Sequence, residues 1–272
     1  MGGTVIASRR VKALAVASGL CLVLQVLPVS RPAHAQAKAQ AELQATSQPQ
    51  AAQVRQALLV AEALGHLATT LRAYAQLGHQ VQVDLAGVQM AQARSDLDLL
   101  LPQLLRRLKP QLPGVESTRL AQRWRAVRDA TYTRPSAEIG ALMSDIGEDL
   151  ATQLRALVPV PRPGHAADPQ LARAWQRQNL QWLAKEGLYG CWRPELALWP
   201  RVEVIKADFG KWLDSQEARL SQVAWVQYNS QWNLLTTSLP RTGSTSCTQQ
   251  AMHSLVSTSD RLAAMVATPK GT

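Results

Sequence analysis

The chain has 272 residues, is 46 % apolar, carries a formal charge of +10 and contains only 3 cysteines. Beyond residue 35 no apolar run approaches the roughly 20 residues a membrane-spanning helix needs, which excludes a polytopic membrane protein. In an exported protein a basic excess favours anionic surfaces or small anions, and nucleic acid drops out on compartment grounds.

Export is itself read from the first residues. Arg9, Arg10 and Lys12 precede an apolar run from Ala13 to Val26, followed by Pro28 and the small-residue pattern Ala33-His34-Ala35. That is a signal peptide, residues 1–35, cleaved after Ala35, and it predicts a periplasmic product. The triplet Ser8-Arg9-Arg10 leaves the twin-arginine and general export routes both open. Residues 36–52, rich in Ala and Gln, suit a tether or a frayed helix start.

From there the sequence carries apolar residues at helical spacing and almost none of the alternation of strands. Pro and Gly clusters divide it into eight helices at about 53–79, 85–109, 116–131, 136–158, 170–192, 198–221, 223–239 and 245–267. Pro102 is expected to kink or split the second. Trp175, Trp182 and Tyr189 form one buried stripe, Val202, Ile205, Phe209, Trp212 and Leu220 a second, and Trp225, Tyr228, Trp232, Leu235 and Leu239 a third. The run PVPRPGHAADP, residues 159–169, forbids a continuous helix and marks a linker. Four helices lie on each side, and the third and fourth of each set share a Trp-bearing helix followed by a Ser/Thr-led one, which points to a diverged duplication. The expected fold is all-α: two tandem up-and-down four-helix bundles, 53–158 and 170–268.

Arg177, Gln181 and Lys185 recur every four residues, so they project from one side of the fifth helix, away from its aromatic stripe. A cation row of this kind can hold a small anion through charge-assisted hydrogen bonds, and a homodimer would double it. The plainer reading is a solvated face beside a core seam.

Those residues also carry a family likeness. Gln176-Arg177, Gln181, Leu183-Ala184-Lys185 and Tyr189 resemble the helix that opens the PilJ-type domain, the N-terminal sensor domain of type IV pili methyl-accepting chemotaxis transducers. Residues Leu71 to Leu101 resemble the end of the same helix, its Ala-Tyr-x-Gln-x-Gly turn and the helix that follows, so the chain resembles two diverged tandem copies. The resemblance implies a periplasmic helical sensor, related to the sensor domains of nitrate- and nitrite-responsive kinases, in which a basic residue of the opening helix binds the anion across a dimer. It carries over to Arg177 and Lys185, and to Arg72, which falls where the lysine of the first copy would be. That copy has Ala63-Leu64 and Ala68 in place of the Gln-Arg pair and the second Gln, so its polar face is gone. The partners implied are a small anion and an inner-membrane receptor or sensor kinase; the alternative is a structural or adaptor module of the envelope without a ligand.

Cys191 and Cys247 fall at the same pole of an up-and-down second bundle, and in an oxidising space they form a disulfide, against two buried free thiols as the alternative. His66, His79, His165 and His253 sit in separate segments, and pairs such as Glu62/His66 and His165/Asp168 are only half a metal site. Ser244 and Ser246 read as turn and capping residues rather than a nucleophile, and Asp145, Glu148 and Asp149 as the solvent side opposite Leu142, Ile146 and Leu150. No catalytic constellation, metal site or cofactor is expected. Trp192 and Trp199 fit no stripe and are candidates for a binding surface at the bundle pole.

Overall fold

The structure is a computed structural model, and it describes residues 33–110, 112–158, 168–240 and 247–267, with side chains from residue 51. The expected signal peptide up to residue 32, linker residues 159–167 with His165, and Ser244 and Ser246 lie outside the described residues. Thr46–Thr272 form one compact unit and Met1–Ala45 another.

Eight α-helices appear in chain order: α1 (Ala33–Gly78), α2 (Val83–Leu108), α3 (Gly114–Ala130), α4 (Ala137–Ala156), α5 (Pro169–Trp192), α6 (Trp199–Gln216), α7 (Gln222–Ser238) and α8 (Gln249–Ala267). There is no strand among the described residues. Residues 36–52, expected as a tether or a frayed helix start, belong to α1, in keeping with the high helix propensity of Ala and Gln. Pro102 does not split α2. Its ring is on the exposed side, while Leu97, Leu101, Leu104 and Leu108 are buried on the other. Burying each leucine is worth roughly 1.5–3 kcal/mol, which together outweighs the ~3 kcal/mol an interior proline costs. The sixth helix ends earlier than its apolar stripe suggests, at Gln216, and a single 3-10 turn, Glu217–Arg219, follows.

Helix starts follow their capping chemistry. Asp168 accepts hydrogen bonds from the backbone N–H groups of Gln170 (2.7 Å) and Leu171 (3.0 Å), with Pro169 at the first helical position of α5. Ser136, Ser221 and Thr248 cap α4, α7 and α8 in the same way. Between α1 and α2 the chain turns through Gln80 and Gln82, both in the left-handed region at φ 56° and 48°.

A continuous core draws on all eight helices, from Leu64 in α1 and Leu97 in α2 to Leu235 in α7 and Leu262 in α8. α3 packs on α4, α7 on α8, and α5 on both α6 and α8. α5 is enclosed on nearly every side: from Trp182 to Gly190 every residue is buried. Hydrogen bonds cross between the segments before and after the linker. The Tyr189 hydroxyl donates to the Leu71 carbonyl of α1 (3.4 Å), and Lys185 reaches Ser144 in α4 (2.8 Å). Cys191 and Cys247 are joined by a disulfide with a Cα–Cα distance of 5.4 Å, tying the last turn of α5 to the residue before the cap of α8.

Candidate binding cleft

The cation row on α5 divides into two parts. Lys185, expected on a wet face, has no exposed surface and belongs to an interior ion cluster. Its ammonium donates to Ser144 Oγ (2.8 Å), Glu148 Oε1 (3.2 Å) and Glu186 Oε1 (3.3 Å), so all three donors are used. Arg201 of α6 pairs with the other Glu148 oxygen, and Glu186 Oε2 accepts from the Leu198 backbone N–H (2.9 Å). Burial alone would raise the Glu148 pKa, but Lys185 and Arg201 outweigh it and hold the carboxyl below its ordinary range. Glu186, sealed and beside Glu148, is pushed up by burial first. Arg155 and Arg201 both lie over the Trp182 indole, at 5.2 and 5.1 Å, and burial followed by Arg201 lowers Arg155 to about 10. Glu148 therefore points inward, and Leu142, expected in the core, is 52 % exposed. The sequence pattern assigns α4 its faces without knowing that a lysine on α5 needs a carboxylate.

Arg72 is likewise closed to ligands. It is 1 % exposed and bonds Asp260 of α8 (2.5 Å) and Gln89 of α2 (2.8 Å). Trp192, expected at an open surface, is inserted between α1 and α4: a Cβ on either Gly78 or Gly140 would overlap its indole ring. Tyr74, Tyr189 and His79 surround it with ring centroids at 6.0, 5.4 and 5.1 Å. Trp199 packs on Gly190 and donates its indole N–H to the Pro194 carbonyl (3.1 Å). Both are half-buried packing residues, Trp192 the last of α5 and Trp199 the first of α6.

Arg177 and Gln181 meet a different environment. They line a cleft of about 390 Å³ between α1, α5 and the last turns of α8. α5 contributes Arg173, Arg177, Gln178 and Gln181, and α1 contributes Glu62, His66 and Thr69. α1 and α5 run close together here: a Cβ on Gly65 would stand in ordinary van der Waals contact, 3.6 Å from that of Gln178. Arg177 is exposed and Arg173 half-exposed; among the described residues neither has a carboxylate within ion-pair distance, and Glu62 has no cation within it. His66 faces Asp96 at 3.7 Å. Its pKa is lowered, mainly by burial and also by Arg177, against the pull of Asp96 and Glu62, so the ring is neutral at neutral pH.

Two amide oxygens in the lining, Gln178 Oε1 and Gln181 Oε1, are buried and have no hydrogen-bond donor. The Gln181 amide N–H₂ group faces the Asp260 carboxylate (3.4 Å), which fixes its oxygen on the other side, because an ionised carboxylate only accepts. Arg173, Gln178, Glu62 and Thr69 were not singled out as ligand residues from sequence. The signal for Arg173 was there, four residues before Arg177 on the same helical line.

Among the described residues no group of three or more His, Cys, Asp or Glu side chains could hold a metal, and no helix is long and apolar enough to cross a membrane. No protein-family model, curated protein or solved structure matches the chain.

Proposed function

We propose that the protein is a non-catalytic, sensor-like helical module of the periplasm that takes a small anion in the cleft between α1, α5 and α8. The observation that carries this reading is the pairing pattern of the cations on one line of α5. Lys185 is neutralised by two carboxylates, while Arg173 and Arg177 are left without one and converge on a cleft with Gln181. Guanidinium groups without carboxylate partners bind anions by paired, charge-assisted hydrogen bonds, at about twice the strength of neutral ones. The disulfide between Cys191 and Cys247 favours an oxidising compartment, in keeping with the export signal read from the first 35 residues.

The PilJ-type likeness, with two tandem four-helix bundles, remains part of the proposal. It is supported by the symmetry of the interior pairs: Arg72 and Lys185, at corresponding positions in the two halves, each reach a carboxylate in the last helix of the other half, Asp260 and Glu148. A sensor of this class would pass its signal to an inner-membrane receptor or sensor kinase, with a homodimer as one means of doubling the cleft.

Thermal shift of the full chain with nitrate, nitrite, acetate and phosphate tests the reading. At least one anion should raise the melting temperature, and Arg177→Ala should remove the effect. Silence from every small ligand would favour the second reading, an adaptor that docks on an envelope protein. Val223, Val226 and Leu234 favour that alternative, since all are exposed on one side of α7.

A further inference from the structure

Charge is spread unevenly along the chain. Residues 103–126, which cover the end of α2, the connecting loop and most of α3, carry six Lys or Arg and a single acid, Glu116. That is half of the formal charge of +10. Arg123 pairs with Asp149 of α4. Arg106, Arg107, Lys109, Arg119 and Arg125 are exposed, and among the described residues none of them has a carboxylate within ion-pair distance. Other solvent-accessible cations behave differently: Arg128, Arg193 and Lys206 each sit beside an acid. Three of the unpaired cations converge. Arg106 and Lys109 from α2 and Arg125 from α3 line an open groove of about 520 Å³ between the two helices. No acid lines it, and the Ser117 and Thr118 hydroxyls at its edge already donate to the Gly114 carbonyl (2.9 and 3.0 Å). The cations are therefore its donors. Leu105, Leu112 and Ala121 supply apolar wall. In the loop beside it Pro110 and Pro113 are exposed, and Val115, in the first turn of α3, is 72 % exposed.

We infer that this end of α2 and α3 docks on an anionic phospholipid surface. One lipid phosphodiester sits among Arg106, Lys109 and Arg125, neighbouring headgroups meet Arg107 and Arg119, and the tip at Val115 enters the boundary between headgroups and acyl chains. Like charges that share a groove repel one another, and an anion supplied from outside removes that cost. A free phosphate would answer the cations alone. A bilayer answers the apolar wall and Val115 as well, because it presents acyl chains directly behind its phosphates. The attraction acts within a Debye length, roughly 8 Å at physiological salt, and each Lys or Arg inside that distance strengthens attachment roughly fivefold. The groove shares no lining residue with the cleft on α5, so the two sites stand or fall separately.

Co-sedimentation of the full chain with vesicles tests this. One set is phosphatidylcholine alone, the other an equal mixture of phosphatidylcholine and phosphatidylglycerol. The chain should bind the mixed vesicles and leave the neutral ones. Arg106→Gln, Lys109→Gln and Arg125→Gln together should weaken binding by roughly a hundredfold. A control triple, Arg55→Gln, Lys211→Gln and Arg219→Gln, removes the same charge from exposed positions elsewhere and should weaken it by less than fivefold. All six side chains are exposed and outside any ion pair among the described residues, so both triples keep the fold, as circular dichroism melts will verify. Val115→Ser, which changes no charge, should weaken binding severalfold, and full binding by that variant overturns the immersion of the tip. Equal binding to both vesicle sets, or equal losses in the two triples, overturns the docking site. Isothermal titration with glycerophosphoglycerol, the same headgroup without acyl chains, separates the two sources of phosphate. It should bind at least a hundredfold more weakly than the mixed vesicles, and an affinity equal to theirs overturns the bilayer and assigns the groove to a soluble phosphate.

Discussion

Arg72 on α1 and Lys185 on α5 are two buried cations that bolt one half of the molecule to the other, and their surroundings differ. Arg72 faces Asp260, which keeps 30 % of its side chain in solvent, with neutral Gln89 as the second acceptor. Lys185 faces Glu148 and Glu186, with side-chain exposures of 14 % and 0 %, under a lid formed by Arg201 and Trp182. Water can therefore replace Arg72 in front of Asp260, but it cannot reach Glu186. A buried charge pair contributes little to net stability when complete, because desolvation offsets attraction; its cost appears when one partner is removed and the other stays sealed. The exposure of the carboxylates, more than the identity of the cation, sets how firmly each pair locks the halves.

Lys185→Met breaks the comparison where the effect is largest. It leaves two carboxylates facing each other in the interior, and urea unfolding should show a loss of about 3–5 kcal/mol, with much of it recovered when Glu148 and Glu186 are both replaced by glutamine. Reduction of the Cys191–Cys247 disulfide comes next, at about 2–4 kcal/mol, read from melting curves with and without reductant. It removes a tie between α5 and α8 that has no counterpart in the first half. Arg72→Met should cost about 2 kcal/mol, clearly less than Lys185→Met, because Asp260 can hydrate. Equal losses at the two positions would show that solvent access does not set the difference.

The smallest effect concerns pH. His66 and His79 both have lowered pKa values, in each case chiefly from burial. The unfolded chain therefore binds protons at these sites more readily than the folded one, so stability is complete above the ordinary imidazole value of about 6.5 and declines as the pH falls below it. The decline levels off once the folded imidazoles are themselves protonated. His79 also donates its Nε2–H to the Leu188 carbonyl of α5 (3.0 Å). Replacing both with glutamine should flatten the stability profile between pH 5 and 7 in urea titrations, and an unchanged slope would assign the dependence to other groups.

The helices were legible because each carries its apolar stripe within a few turns. Trp175, Trp182 and Tyr189 are all buried as their spacing requires, and Phe209 and Trp212 pack at 5.3 Å on the α6 stripe. The disulfide was legible because helix direction alone brings residues 191 and 247 to one pole. What escaped was the fate of individual charges. Lys185 and Arg177 look alike on a helical wheel, and only a glutamate on α4, 37 residues before Lys185, makes one a bolt and leaves the other a ligand group. Glu148 was misplaced for the same reason, since a carboxylate is read as solvent-facing until a cation is known to await it. Trp192 escaped because its slot is formed by glycines on two other helices, Gly78 and Gly140, whose missing side chains leave no periodic signal.

The disulfide sits in the last turn of α5, whereas Arg173 and Arg177 sit in its second and third. At 1.5 Å of rise per residue the covalent anchor and the guanidinium groups are roughly 20 Å apart along one rigid rod. A molecule gripping the free end cannot slide that rod lengthwise, because its far end is stitched in place. Whatever displacement such a grip produces must emerge as a swing about the stitch, with its greatest travel where α1 and α8 flank the cleft.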